Sequence, residues 1–194
     1  MTDSQASDHL VPPLIVVGIA WAGKAPDVTR MKYLTPTARS PQGGGSASEF
    51  LRFVKDQVIP FVDSSCRTIK GDRTLLGISL GGLFGLYTMW HEPALFTRYV
   101  LMSPSLNWDY AALQGYDRQY AAKTKQLPAR VFLGIGELET GHRAQFDDFV
   151  AFLRARNYQG LDLTTMTMRG SGHSSSMPEG YLKGLRTVYK PGAR

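Results

Sequence analysis

"LLGISLGG" spans residues 75–82. Two leucines run into Gly77, Ser79 follows, and Gly81 and Gly82 come next. Gly77, Ser79 and Gly81 match G-x-S-x-G, a pattern in which a serine sits on a strained strand-to-helix turn with its hydroxyl exposed. Glycines are expected on both sides because bulky side chains there would collide with neighbouring elements. The backbone N–H of Leu80 would then face a developing oxyanion at the helix N-terminus. An incidental turn could carry the same five letters. The context favours a nucleophile: an apolar run precedes the pattern and "LGGLFGLYTMWH" (80–91) reads as a helix packed closely on a sheet.

Outward from this point the chain alternates. "PLIVVGIAW" (13–21) is apolar and β-branched, and reads as a strand buried on both faces. The segment Ala22–Gly45 is rich in proline and glycine, so most of it is expected to lack regular structure and to wall a substrate pocket. In "SASEFLRFVKDQVIPFVD" (46–63), Ser46 and Glu49 suggest a capping box, and Pro60 should kink or end the helix. "RTLLGI" (73–78), "RYVLMSPS" (98–105), "RVFLGIG" (130–136) and "LDLTTMTM" (161–168) supply further strands. "YDRQYAAKTKQLP" (116–128) is polar and weakly helical, while "RAQFDDFVAFLRARN" (143–157) is amphipathic. "PEGYLKGLRTVY" (178–189) reads as a closing helix with proline in its first turn. This order implies an α/β fold with a mainly parallel sheet covered on both faces, and a site beyond the carboxyl ends of the strands.

Bulk properties narrow the class. A chain of 194 residues with 43% hydrophobic and 20% charged residues suits one domain with a real core, expected over residues 13–194 behind an irregular tail at 1–12. No apolar run is long enough to span a membrane, and the start lacks a basic segment followed by an apolar one, so a cytoplasmic location is expected. A single cysteine, Cys66, excludes an intrachain disulfide, and its linker setting gives it no chemical role. The net charge of +6 is scattered without a dense basic stripe, which gives no support for nucleic-acid binding and suits an anionic substrate or simple solubility.

A serine needs a base, and the base needs an orienting group. Of four histidines, His9 lies in the tail, His91 at a helix end, and His142 at a helix start that reads as surface. His173, in "GSGHSSS" between the last strand and last helix, stands where the base should come from. The acid should follow the fourth strand, in "GIGELETG", where Glu137 and Glu139 both qualify. Asp109 is a more distant choice, and Asp147 and Asp148 read as solvated helix residues.

With serine, acid loop and histidine in this order, the chain resembles the esterases of the α/β-hydrolase fold that include enterochelin and other siderophore esterases and carbohydrate-ester hydrolases. The resemblance runs from about Pro13 to the C-terminus, and rests on "VVGIAW", "YLTPT", "GGGSASEFLRFVKDQVIPFVD", "GISLGGLFGLYTMWHEPALF", "SPSLNWD", "GIGELE" and "GSGHSSSMPEGYLKGL". It implies Ser79 as nucleophile, His173 as base and Glu139 as acid, with the Leu80 N–H in the oxyanion hole. It also implies Arg30 and Trp108 in loops that line the pocket. One departure stands out. The resemblance implies more N-terminal strands, one ending in an Asp-Gly turn that gives the second oxyanion donor, and no such turn precedes "PLIVVGIAW". The expectation is therefore an N-terminally truncated version of the fold with open strand edges and self-association.

The reading is a serine hydrolase of carboxylic esters working through a Ser-His-Glu triad and an acyl-enzyme. Its partner is a small-molecule ester; no cofactor, metal, nucleic acid or membrane is expected, and ferric iron in a siderophore would belong to the substrate. The alternatives are a peptidase or acyltransferase on the same fold, or a catalytically weak relic or binding module.

Overall fold

A computed structural model of the chain describes residue 6 and residues 10–21, 25–40 and 43–190. His9 and most of the expected tail lie outside these. The elements in chain order are α1 (Pro26–Leu34), β1 (Ala38–Ser40), β2 (Gly43–Gly44), α2 (Ala47–Phe53), α3 (Ile59–Ser65), β3 (Thr74–Ile78), α4 (Leu80–His91), β4 (Arg98–Met102), α5 (Tyr110–Ala121), β5 (Gln126–Gly136), α6 (Thr140–Ala155), β6 (Gln159–Met168) and α7 (Ser176–Tyr189). Strands β1 and β2 form a small antiparallel hairpin, and β3-β4-β5-β6 form a four-stranded sheet in that order. Every pair in the larger sheet is parallel. Each crossover is a helix, as parallel pairing requires.

The strand sequences explain the layering. Successive side chains point to opposite faces. Tyr99 and Leu101 of β4, with Val131, Leu133 and Ile135 of β5, pack into one core with Leu83, Leu86 and Phe149. Val100, Met102 and Phe132 point the other way, onto Leu185 and Val188 of α7. Being buried on both faces, β4 reads as a continuous apolar run, which is why the sequence marks it so clearly.

Four differences from the sequence reading emerge. Residues 13–21 are not a strand. Val11 is buried against the α7 face and Trp21 packs on Tyr33 and Phe50 of the other layer. Between them Ile15, Val16 and Val17 are 52%, 70% and 49% exposed. An apolar β-branched run becomes a strand only when a neighbour completes its ladder, and no described residue pairs with this one. Among the described residues nothing pairs with the outer edge of β3 either, and Leu76 on β3 is 40% exposed.

Segment 22–45 is more regular than its composition suggests, since it contains α1 and the hairpin. Pro26 falls in the first turn of α1, where a missing N–H costs nothing, and Pro36 follows its end. Ser46 precedes α2 but its side chain caps nothing, so the capping box does not form. The expected break at Pro60 takes the form of a π turn at Val54–Val58, after which the helix resumes as α3. The wider turn relieves the clash between a proline ring and the preceding carbonyls. Finally, the weakly helical region 116–128 divides: residues 116–121 complete α5, which is started by Asp109, whose carboxylate accepts the N–H of Ala112 at 2.9 Å, and residues 126–128 already belong to β5.

Candidate active site

Three strand ends build the site. At the end of β3 the chain turns at Ser79, which has φ 60° and ψ −119°, outside the basins a side-chain-bearing residue normally takes. Such strain persists only where the surroundings enforce it. Gly77 is one enforcer, because a Cβ there would lie 2.3 Å from the carbonyl oxygen of Gly81. Gly81 does not share this role: a Cβ on it would meet nothing within 4 Å. The collision expected on both sides of the serine therefore exists on the strand side alone. Leu80 begins α4, so its N–H belongs to the first turn, whose amides have no carbonyl partner within the helix.

Past β5, Glu139 precedes α6 and is 7% exposed. Its Oε1 accepts the Ser103 hydroxyl at 2.5 Å and the Gly136 N–H at 2.8 Å. Its Oε2 faces His173 Nδ1 at 2.7 Å. Burial pushes this carboxyl up, but the Ser103 hydroxyl, His173 and the Gly136 N–H outweigh it and hold it below its ordinary 4.5. Glu137, two residues earlier, turns elsewhere, and its carboxylate accepts the Gly170 N–H at 2.7 Å. The histidine stands on the loop between β6 and α7, with its side chain 46% exposed.

Ser79, Glu139 and His173 all line one cleft of about 240 Å³ at the carboxyl ends of the strands. Ser103, Ser105 and Asn107 line it from the loop after β4, and His142, Gln145 and Phe146 from α6. Ser79 Oγ lies 3.1 Å from Ser105 Oγ, and among the described residues no hydrogen bond joins it to His173. Catalytic hydrogen bonds are often loose before substrate binds.

Other sequence candidates stand apart. Arg30 is on α1, not in a loop, and its charge is felt by Tyr181 of α7. Trp108 donates its indole N–H to the Thr37 carbonyl at 2.9 Å and lies under the Arg39 guanidinium. Neither is among the described residues that line the cleft. His91 accepts its expected place at the end of α4, bonding the Tyr87 carbonyl at 2.8 Å. His142, read as surface, lines the cleft. The sequence reading also passed over Ser103 and Ser105 as individuals; their signal was position, immediately after a buried strand in a parallel sheet.

Residues 1–173 match the family described as "Putative esterase". The chain belongs to this esterase family. Membership makes it a carboxylic ester hydrolase of the α/β-hydrolase type. Among similar proteins is the ferri-bacillibactin esterase BesA of Bacillus subtilis, 28% identical over 93% of this chain and 69% of that protein. Another is a siderophore triacetylfusarinine C esterase of Aspergillus fumigatus, 36% identical over 54% of this chain and 37% of its own length. The crystal structure of the BES protein from Bacillus cereus superposes with a TM-score of 0.84 at 25% identity, covering 97% of this chain and 74% of that one. The siderophore hydrolase EstA of Aspergillus nidulans shares the fold, with a TM-score of 0.74 at 21% identity over 89% of this chain and 70% of its own. No described helix is long and apolar enough to cross a membrane.

Proposed function

We propose that this esterase cleaves siderophore-type esters through a Ser79-His173-Glu139 triad. The observation that carries the reading is the 2.7 Å contact between Glu139 and His173 in the cleft that holds Ser79 on its strained turn. Glu139, kept ionised, orients the imidazole with Nδ1–H toward it and leaves Nε2 unprotonated as the base. His173 takes the Ser79 proton as the serine oxygen attacks the ester carbonyl. The Leu80 N–H stabilises the oxyanion. Collapse expels the alcohol, which receives its proton from His173, and leaves an acyl-enzyme. Water, deprotonated by the same histidine, releases the acid and restores Ser79.

Two considerations favour siderophore esters. Similar proteins from a bacterium and a fungus carry that activity in their names. The net charge of +6 draws anionic ligands, and Asn107, His142 and Gln145 give the cleft polar groups for a heteroatom-rich substrate. Ferric iron would enter as part of such a substrate.

The test is covalent labelling by a fluorophosphonate probe with the modified residue mapped by mass spectrometry, beside hydrolysis of an ester panel that includes trilactone siderophores with and without iron. Labelling at Ser79 together with trilactone cleavage is expected. Labelling without trilactone cleavage would keep the triad and remove the substrate class.

A further inference from the structure

The tripeptide Ser103-Pro104-Ser105, which closes β4, touches both ends of the proposed catalytic set. We propose that this turn is a positioning element, in which Ser103 seats the carboxylate of Glu139 and Ser105 seats the hydroxyl of Ser79. The proposal rests on the serine-esterase reading above.

The turn is locked to the elbow it serves. The Ser103 N–H donates to the Gly134 carbonyl at 2.7 Å, and the Ser105 N–H donates to the carbonyl of Ser79 itself at 3.1 Å. The Trp108 N–H closes back on the Ser105 carbonyl at 3.0 Å. Pro104 lies flat against the first turn of α4, where a Cβ on Gly82 would come within 2.9 Å of its Cα. Nucleophile and turn are thus one rigid unit, and a group on one is held in fixed relation to the other.

Each serine then has a chemical task. Ser103 is buried at 5% exposure and carries φ 42°, a conformation that glycine adopts with less strain. A serine there brings a hydroxyl that glycine lacks, and that hydroxyl donates to Glu139 Oε1. With the Gly136 N–H on the same oxygen, Oε1 is occupied and Oε2 is left to His173. The imidazole therefore meets the carboxylate in one way. Ser105 acts on the other partner. When its hydroxyl donates to Ser79 Oγ, it fills a lone pair of that oxygen. Ser79 then keeps its own proton free for His173 Nε2, and the oxygen left after transfer retains a donor. No atom of Ser103 or Ser105 changes covalent partner in the reaction, so these are positioning residues.

The experiment compares Ser103→Ala, Ser103→Gly, Ser105→Ala and Ser105→Thr with the parent chain by ester kinetics, the rate of fluorophosphonate inactivation and thermal melting. Ser103→Ala and Ser103→Gly should each lower kcat on the order of 10- to 100-fold with KM within about twofold. Ser103→Gly should do so while melting at or above the parent temperature, because it relieves backbone strain. Ser105→Ala should lower kcat about 10-fold and slow phosphonate inactivation in parallel, and Ser105→Thr should restore both. Full activity in Ser103→Gly would show that this position serves backbone shape alone. Variants with parental kcat, or losses confined to KM, would overturn the positioning role while leaving the esterase intact. A parent chain that neither labels nor hydrolyses would instead remove the serine-esterase reading, and this proposal with it.

Discussion

Glu139 Oε2 and His173 Nδ1 meet at 2.7 Å across 34 residues of sequence. The two side chains arrive from the ends of adjacent parallel strands, β5 and β6, so their contact exists only when that pairing is in register. The carboxylate is almost fully buried and the imidazole half exposed. One partner is thereby fixed and the other left facing the cleft.

Loss of the nucleophile is the bluntest expectation. Ser79→Ala should reduce hydrolysis of activated esters by about 10³-fold or more while leaving the fold intact. Steady-state rates on the same protein stocks, with circular dichroism as the control, check this. Parental rates would sink the serine mechanism.

The two glutamates of "GIGELE" should separate cleanly. Under the proposed triad, Glu139→Gln removes the charge that orients His173, whereas Glu137→Gln disturbs only a bond to the Gly170 backbone. The first is expected to lower kcat by at least 10-fold more than the second. The opposite ranking would move the acid to Glu137.

The depressed Glu139 carboxyl also sets a pH dependence. A carboxyl with a lowered folded-state pKa stabilises the native form above its unfolded value and loses that contribution as pH falls through the folded one. The melting temperature of the parent should therefore exceed that of Glu139→Gln by a constant margin above about pH 5, and the margin should close as pH drops below 4.5. A margin that widened in acid would contradict the sign of the shift.

Substrate contacts should follow the cleft lining. His142→Ala and Gln145→Ala are expected to raise KM a few-fold with little change in kcat, because the proposed mechanism gives these cleft-lining groups no part in the chemistry. Arg30→Ala, on α1 and away from the lining, should leave KM unchanged across an ester panel.

The edge of β3, which no described residue pairs, and the exposed run at 15–19 should promote association between molecules. Sedimentation velocity is expected to show species that grow with concentration, and Val16→Lys, at a side chain 70% exposed, should reduce them. A single monomeric species at every concentration would refute this.

What could be read from residues alone divides along physical lines. The elbow was legible because Gly77 is required by a contact only four residues away, and His173 because chain order places it after the last strand. Strands β4 and β5 were legible because burial on two faces leaves an uninterrupted apolar signature, whereas β3 was legible from its place before the elbow and β6 from its alternating apolar positions. Residues 13–21 carry the same signature without forming a strand, since pairing depends on a neighbour that composition does not reveal. Helix α1 was hidden by its flanking prolines, which lie where helices tolerate them. Ser103, Ser105 and His142 were hidden because their place in the cleft depends on how the folded sheet brings loops distant in sequence together.

The placement of the three cleft residues beyond the ends of β3, β5 and β6 also has a consequence in time. Ser79 is synthesised first, Glu139 sixty residues later and His173 last, and each sits beyond a strand that must find a non-local parallel partner. Parallel pairing across such separations is slow because loop closure precedes the contacts that reward it. The assembled cleft is therefore a late product of folding. Under the proposed triad, a nascent chain halted before β6 would carry Ser79 on its elbow without the proposed base, so hydrolytic competence is expected only after the final strand and α7 have docked.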